Sequence, residues 1–126
     1  MFTHVMLGSN DMTASQAFYD ALFATLGASP AIRDDKGRLV YLHGGAMFMV
    51  TTPIDGQPAC HANGGTVGFA MTSAEQADAW HAAGVAAGGA SCEDPPGLRD
   101  SPIGPLYLAY LRDPAGNKLC GVHRPA

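Results

Sequence analysis

The chain has 126 residues, 47% of them hydrophobic and only 14% charged, with a formal net charge of −4. That length suits one domain able to bury a core without disulfide staples. The weakly acidic balance without Lys/Arg clusters excludes nucleic acid as an expected partner. No run approaches the ~18 apolar residues of a membrane span, and the opening MFTHVMLGSND lacks the features of a signal peptide. Three cysteines, Cys60, Cys92 and Cys120, form no C-x-x-C pair. Reduced thiols and a cytoplasmic location are therefore expected.

In chain order, FTHVMLG (2–8) is apolar and predicts a strand. Asn10 or Asp11 can then cap a helix whose Ala14, Phe18, Ala21, Leu22 and Leu26 recur at helical spacing, closed by Gly27. SPAIRDD is a short strand candidate, and KGRLVYLHGGAMFMVTT predicts a hairpin turning at Gly44-Gly45. Residues 53–64 are turn-rich and read as a linker. The pattern then restarts. TVGFAMT (66–72) is a strand, and 73–89 is a helix with Ser73 as N-cap and Gln76 placed to complete a capping box. ASCEDPPGLRDSPIG supplies a short strand and a long loop, and PLYLAYLRDPAGNKLCGVH a second hairpin turning at DPAGN.

A shift of 62 residues lays the second half on the first without a gap from Thr3/Gly65 through Ser29/Ser91, with Phe18 meeting Trp80. The chain therefore reads as α+β, one domain of two βαβββ modules: about 1–52 and 65–126, joined by a linker at about 53–64. The alternative is a single α+β sandwich with chance similarity between two alanine-rich helices. A helix covers one face of each sheet, and the faces left over are expected to form a cleft for a small molecule.

Paired βαβββ modules with this opening resemble the vicinal oxygen chelate superfamily: glyoxalase I, bleomycin-resistance proteins and extradiol dioxygenases. FTHVMLGSNDMTASQAFYDALFATLG looks like its first strand and helix, and DPAGNKL like its last hairpin. The NKLC of the last strand looks like a glyoxalase-like bacterial subgroup. In metal-dependent members four strands each supply a ligand, typically His or Glu, to one divalent ion. That ion takes two neighbouring substrate oxygens in its open positions. Carried over, those positions fall on His4, on Met49 to within a residue or two, on Thr66 and on Cys120. Only one keeps a strong ligand. No metal and no other cofactor is expected, and a divalent ion held by His4, Thr66 and Cys120 stands as the alternative. The resemblance also implies a homodimer.

The candidate ligand pocket comprises His4, Phe48, Met49, Thr66, Arg99, Tyr107 and Cys120, with His4 as the candidate acid/base. Met47, Phe48 and Met49 suit an adaptable apolar wall or simply the core. Arg99 can bind a ligand carboxylate or pair with Asp94 or Asp100. Cys120 and His123 lie three apart on one predicted strand and so point to opposite sides, which argues against a Cys–His dyad. The expected function is binding or transformation of a small molecule, by an enzyme or by a non-catalytic protein that sequesters a drug or metabolite. A metal-dependent lyase or dioxygenase is the further alternative.

Overall fold

The computed structural model describes residues 1–125. The first module runs β1 (Val5–Gly8), α1 (Met12–Ala24), β2 (Ile32–Arg33), β3 (Leu39–His43) and β4 (Ala46–Thr51). The second runs β5 (Val67–Ala70), α2 (Ala74–Ala86), β6 (Ala90–Ser91), β7 (Gly97–Arg99), β8 (Leu106–Arg112) and β9 (Lys118–His123). One sheet has the order β1-β4-β3-β2; the other has β5-β9-β8-β6, with β7 also on β8. Each is mixed: β1 runs parallel to β4 and β5 parallel to β9, while the other pairs are antiparallel.

The repeat is visible in the backbone. Strands β1 and β5 start at 5 and 67, and helices α1 and α2 at 12 and 74, so both counterparts keep the shift of 62. The caps keep it too. The Asp11 carboxylate accepts from Ala14 N at 3.0 Å, and the Ser73 hydroxyl accepts from Gln76 N at 3.0 Å. The Gln76 side chain departs from the capping-box pattern, its Oε1 accepting from Thr72 N and Thr72 Oγ1. Asn10, the other cap candidate, instead holds the linker through both the N–H and the carbonyl of Ala59. At the β3–β4 turn Gly44 and Gly45 both have positive φ (58° and 79°), the requirement of the tightest hairpin connection.

Two expectations change. Strand β1 begins at Val5 instead of Phe2, because its ladder to β4 starts at Val5↔Phe48. The 92–105 segment is not all loop: β7 pairs Gly97–Arg99 with β8. Three residues flanked by prolines carry no alternation to read.

Both modules share one core. Tyr41 and Phe48 from the first sheet meet Tyr19 and Phe23 of α1; Phe23 and Phe48 meet Phe69 of the second sheet; and Phe69 meets Trp80 of α2. These rings stand 4.9–6.3 Å apart, within the range of favourable edge and tilted contacts. Glycine lets the helices close on the core. A Cβ at Gly84 would lie 2.4 Å from Leu111 Cδ1 and 3.1 Å from Leu22 Cδ1.

Candidate functional site

Strand alternation divides each sheet into two faces. Val5, Leu7, Leu39, Tyr41, Phe48 and Val50 of the first sheet face the helices, as do Val67, Phe69, Ala109, Leu111 and Leu119 of the second. The opposite faces point away from this common core. On the first sheet the ladder places Met6 beside Met49 and Met49 beside Val40, with Ile32 and Leu42 on the same side. This bare face is strongly apolar, and Met6, Ile32 and Leu42 are 41%, 61% and 61% exposed. On the second sheet Gly68 stands beside Cys120 and Cys120 beside Tyr110. No hydrogen bond, ion pair or ring contact among the described residues joins one bare face to the other.

The seven candidate residues divide accordingly. His4 immediately precedes β1 and is exposed, its Nδ1 2.9 Å from Thr3 Oγ1. By alternation it shares the bare face with Met6 and Met49. Thr66 immediately precedes β5 and is exposed, and by the same alternation shares the second bare face with Gly68 and Cys120. Arg99 sits beside Leu106, but its guanidinium holds its own loop, donating to Pro95 O at 2.7 Å and Leu98 O at 3.3 Å. It pairs with neither Asp94 nor Asp100. Phe48 and Tyr107 are on the other side. Phe48 belongs to the core, and the Tyr107 hydroxyl donates to Asp78 Oδ1 of α2 at 2.6 Å. Alternation alone groups 107 with 109 and 111, and only the seating of α2 decides that this group faces inward.

Cys120 is buried, 5% exposed, and desolvation raises its thiol pKa. It retains its proton where a reactive thiolate would not. His123 is on the opposite face, beside Tyr107, with Nδ1 3.2 Å from Met71 O. The two therefore form no dyad. Tyr110 and Lys118 flank Cys120, and Glu93, not anticipated from the sequence, joins them. The Tyr110 hydroxyl, pushed up to about 12 by burial and then by Cys120, lies beside that thiol. The Lys118 ammonium stands 5.0 Å from the centre of the Tyr110 ring and pairs with the Glu93 carboxylate. Alternation puts Lys118 on this face; Glu93 reaches it from a left-handed backbone conformation (φ 56°) that no sequence signal announced.

The donor set at His4, Met49, Thr66 and Cys120 does not fit a divalent ion held by imidazole and carboxylate. It offers one imidazole, a thioether, a neutral hydroxyl and a thiol that keeps its proton. Among the described residues no three His, Cys, Asp or Glu side chains cluster as a metal site. Nor is any helix among them long and apolar enough to cross a membrane.

No protein-family model matches the chain, and no curated protein does. Solved structures do. A glyoxalase/bleomycin resistance protein from Albidiferax ferrireducens T118 is 57% identical, with a TM-score of 0.94 over 98% of this chain and 99% of that one. A glyoxalase-related enzyme from Fulvimarina pelagi (20% identity, TM-score 0.72) covers 99% of this chain, which spans 89% of it. A lactoylglutathione lyase from Agrobacterium tumefaciens (22%, 0.68) covers 98%, with 92% of its own length matched. The last two share the fold.

Proposed function

Because the chain belongs to the glyoxalase/bleomycin resistance protein family, we propose that it binds a small molecule in a cleft that two copies build together, without the family's metal. The first sheet's bare face from one copy, with His4 and Met49, meets the second sheet's bare face from the other, with Thr66, Tyr110 and Cys120. The observation that carries this reading is the outward direction of the bare faces. One chain turns the helix-covered sides of both sheets to a common core and leaves Met6, Ile32 and Leu42 exposed. An exposed apolar patch of this kind marks a contact surface. Strands β1 and β5 are both free at their outer edges, and unpaired edges favour a neighbouring chain.

The same residues favour binding over metal chemistry. Methionines form an adaptable apolar wall, while Tyr110 supplies a flat body with one polar tip. A second reading, proton transfer by His4, is favoured by the Thr3 contact that holds one ring nitrogen, the other making no hydrogen bond among the described residues.

Light scattering and native mass spectrometry test the proposal. A dimer that carries a co-purified small molecule is expected, and Leu42→Asp should yield a monomer that has lost it. A wild-type monomer, or a monomeric variant that keeps the ligand, overturns the shared cleft. His4→Gln that retains ligand affinity but loses turnover would favour the second reading.

A further inference from the structure

The two sheets leave a partly open gap, mostly on their core sides, past the C-terminal end of α1. Phe23, Tyr41, Phe48 and Phe69 form its walls, and Ala28 and Val67 keep it open. Its volume is ≈ 200 Å³. Interiors of folded chains hold few voids larger than a water, and an apolar cavity of about 150 Å³ accepts benzene. The lining is mainly core-side, and only Met47 and Gly68 at its edge belong by alternation to the bare faces of the proposed cleft. Val5 lines it, whereas His4 next to it belongs to the bare face.

We infer that this gap is a second ligand site, for a small neutral aromatic molecule of one ring or a fused pair. The lining dictates the class. The Tyr41 hydroxyl, on one wall, already donates to Asp20 Oδ1 at 2.7 Å. Asp20 in turn accepts from Ala31 N at 3.0 Å. Among the lining residues no buried side-chain hydrogen-bonding group is left over for a charged or strongly polar ligand, whose desolvation would go uncompensated; the unpartnered Trp80 Nε1 is not part of the lining. Aromatic rings on several sides offer edge and stacking contacts to a flat guest. His43 lies on the core side at the rim, opposite Ala46, and is exposed; its side chain makes no hydrogen bond among the described residues. It can meet one polar substituent pointing outward. A guest would touch Phe48 of one module and Phe69 of the other, and so bridge the two.

Indole is the probe. In a titration followed by methyl NMR, saturable shifts are expected at Val5, Val67 and Ala28, with the Met6 and Met49 methyls unmoved. Ala28→Phe fills the gap and should weaken binding at least tenfold. Ala46→Trp, at the exposed rim, should do the same without touching the core, and so decides the matter if the first variant fails to fold. Absence of saturable shifts up to the solubility limit of indole overturns the site. So do shifts centred on Met6 and Met49, or an affinity unchanged in the folded variants. The first and last of these outcomes stand whether or not the bare faces bind a ligand.

Discussion

The Tyr19 hydroxyl donates to Asp113 Oδ2 at 2.6 Å, joining α1 to the β8–β9 turn across 94 positions of sequence. Both side chains are buried. The Asp113 carboxylate also accepts from Ala115 N, Asn117 N and Asn117 Nδ2, and Asn117 Nδ2 reaches Gly8 O at 2.9 Å. The DPAGN turn thus does more than reverse the chain: it fastens the second module to the first. Tyr19→Phe keeps the ring packing and removes one donor from a buried carboxylate. A loss of about 1.5–3 kcal/mol is expected, the usual range for a hydrogen bond to a charged group. Urea unfolding checks it, with the midpoint falling and the m-value unchanged.

The contact between helices depends on Gly84. A side chain there enters space held by Leu111 and Leu22. Gly84→Val should destabilise by about 1–3 kcal/mol through overpacking, with no helix-propensity gain large enough to offset it. Thermal unfolding by circular dichroism measures it. An unchanged or higher Tm would mean the helices can move apart at no cost.

Alkaline pH should weaken the fold. Burial raises the pKa of Cys120 in the folded state, and that of Tyr110 to about 12. Above the unfolded values, about 8.5 for Cys and 10 for Tyr, the unfolded chain has released protons that the folded chain keeps. The unfolded state then binds fewer protons, so stability falls as pH rises. The contribution is fully present below about pH 8 and declines from there upward. Denaturation midpoints at pH 7, 9 and 10 should fall in that order, with a shallower decline in Cys120→Ala. In the same pH range iodoacetamide should label exposed Cys60 first and buried Cys120 last, read by peptide mass spectrometry.

Replacing the misfit donors should restore metal affinity. Met49→Glu, Thr66→His and Cys120→Glu together supply carboxylates and imidazole alongside His4. Calorimetry with Ni or Zn should show affinity raised roughly 100-fold or more over the unaltered protein. Adding Leu42→Asp should abolish the gain if the ligands come from two copies. No gain in the triple variant would mean these four positions do not converge.

The repeated unit is written in local sequence signals. Apolar periodicity, caps at Asp11 and Ser73 and the turn residues at Gly44-Gly45 and DPAGN are local signals, and the shift of 62 survives into the strands and helices. Strand alternation likewise separates Cys120 from His123. Which alternating set meets a helix depends instead on how the modules pack. That choice turns Tyr107 toward Asp78 and Phe48 into the core, while leaving Met49 and Cys120 on the bare faces. A period of two defines two faces but gives neither of them a direction. The direction comes from burying Phe18, Leu22, Phe23 and Trp80 together, a non-directional gain that depends on how both modules share one core.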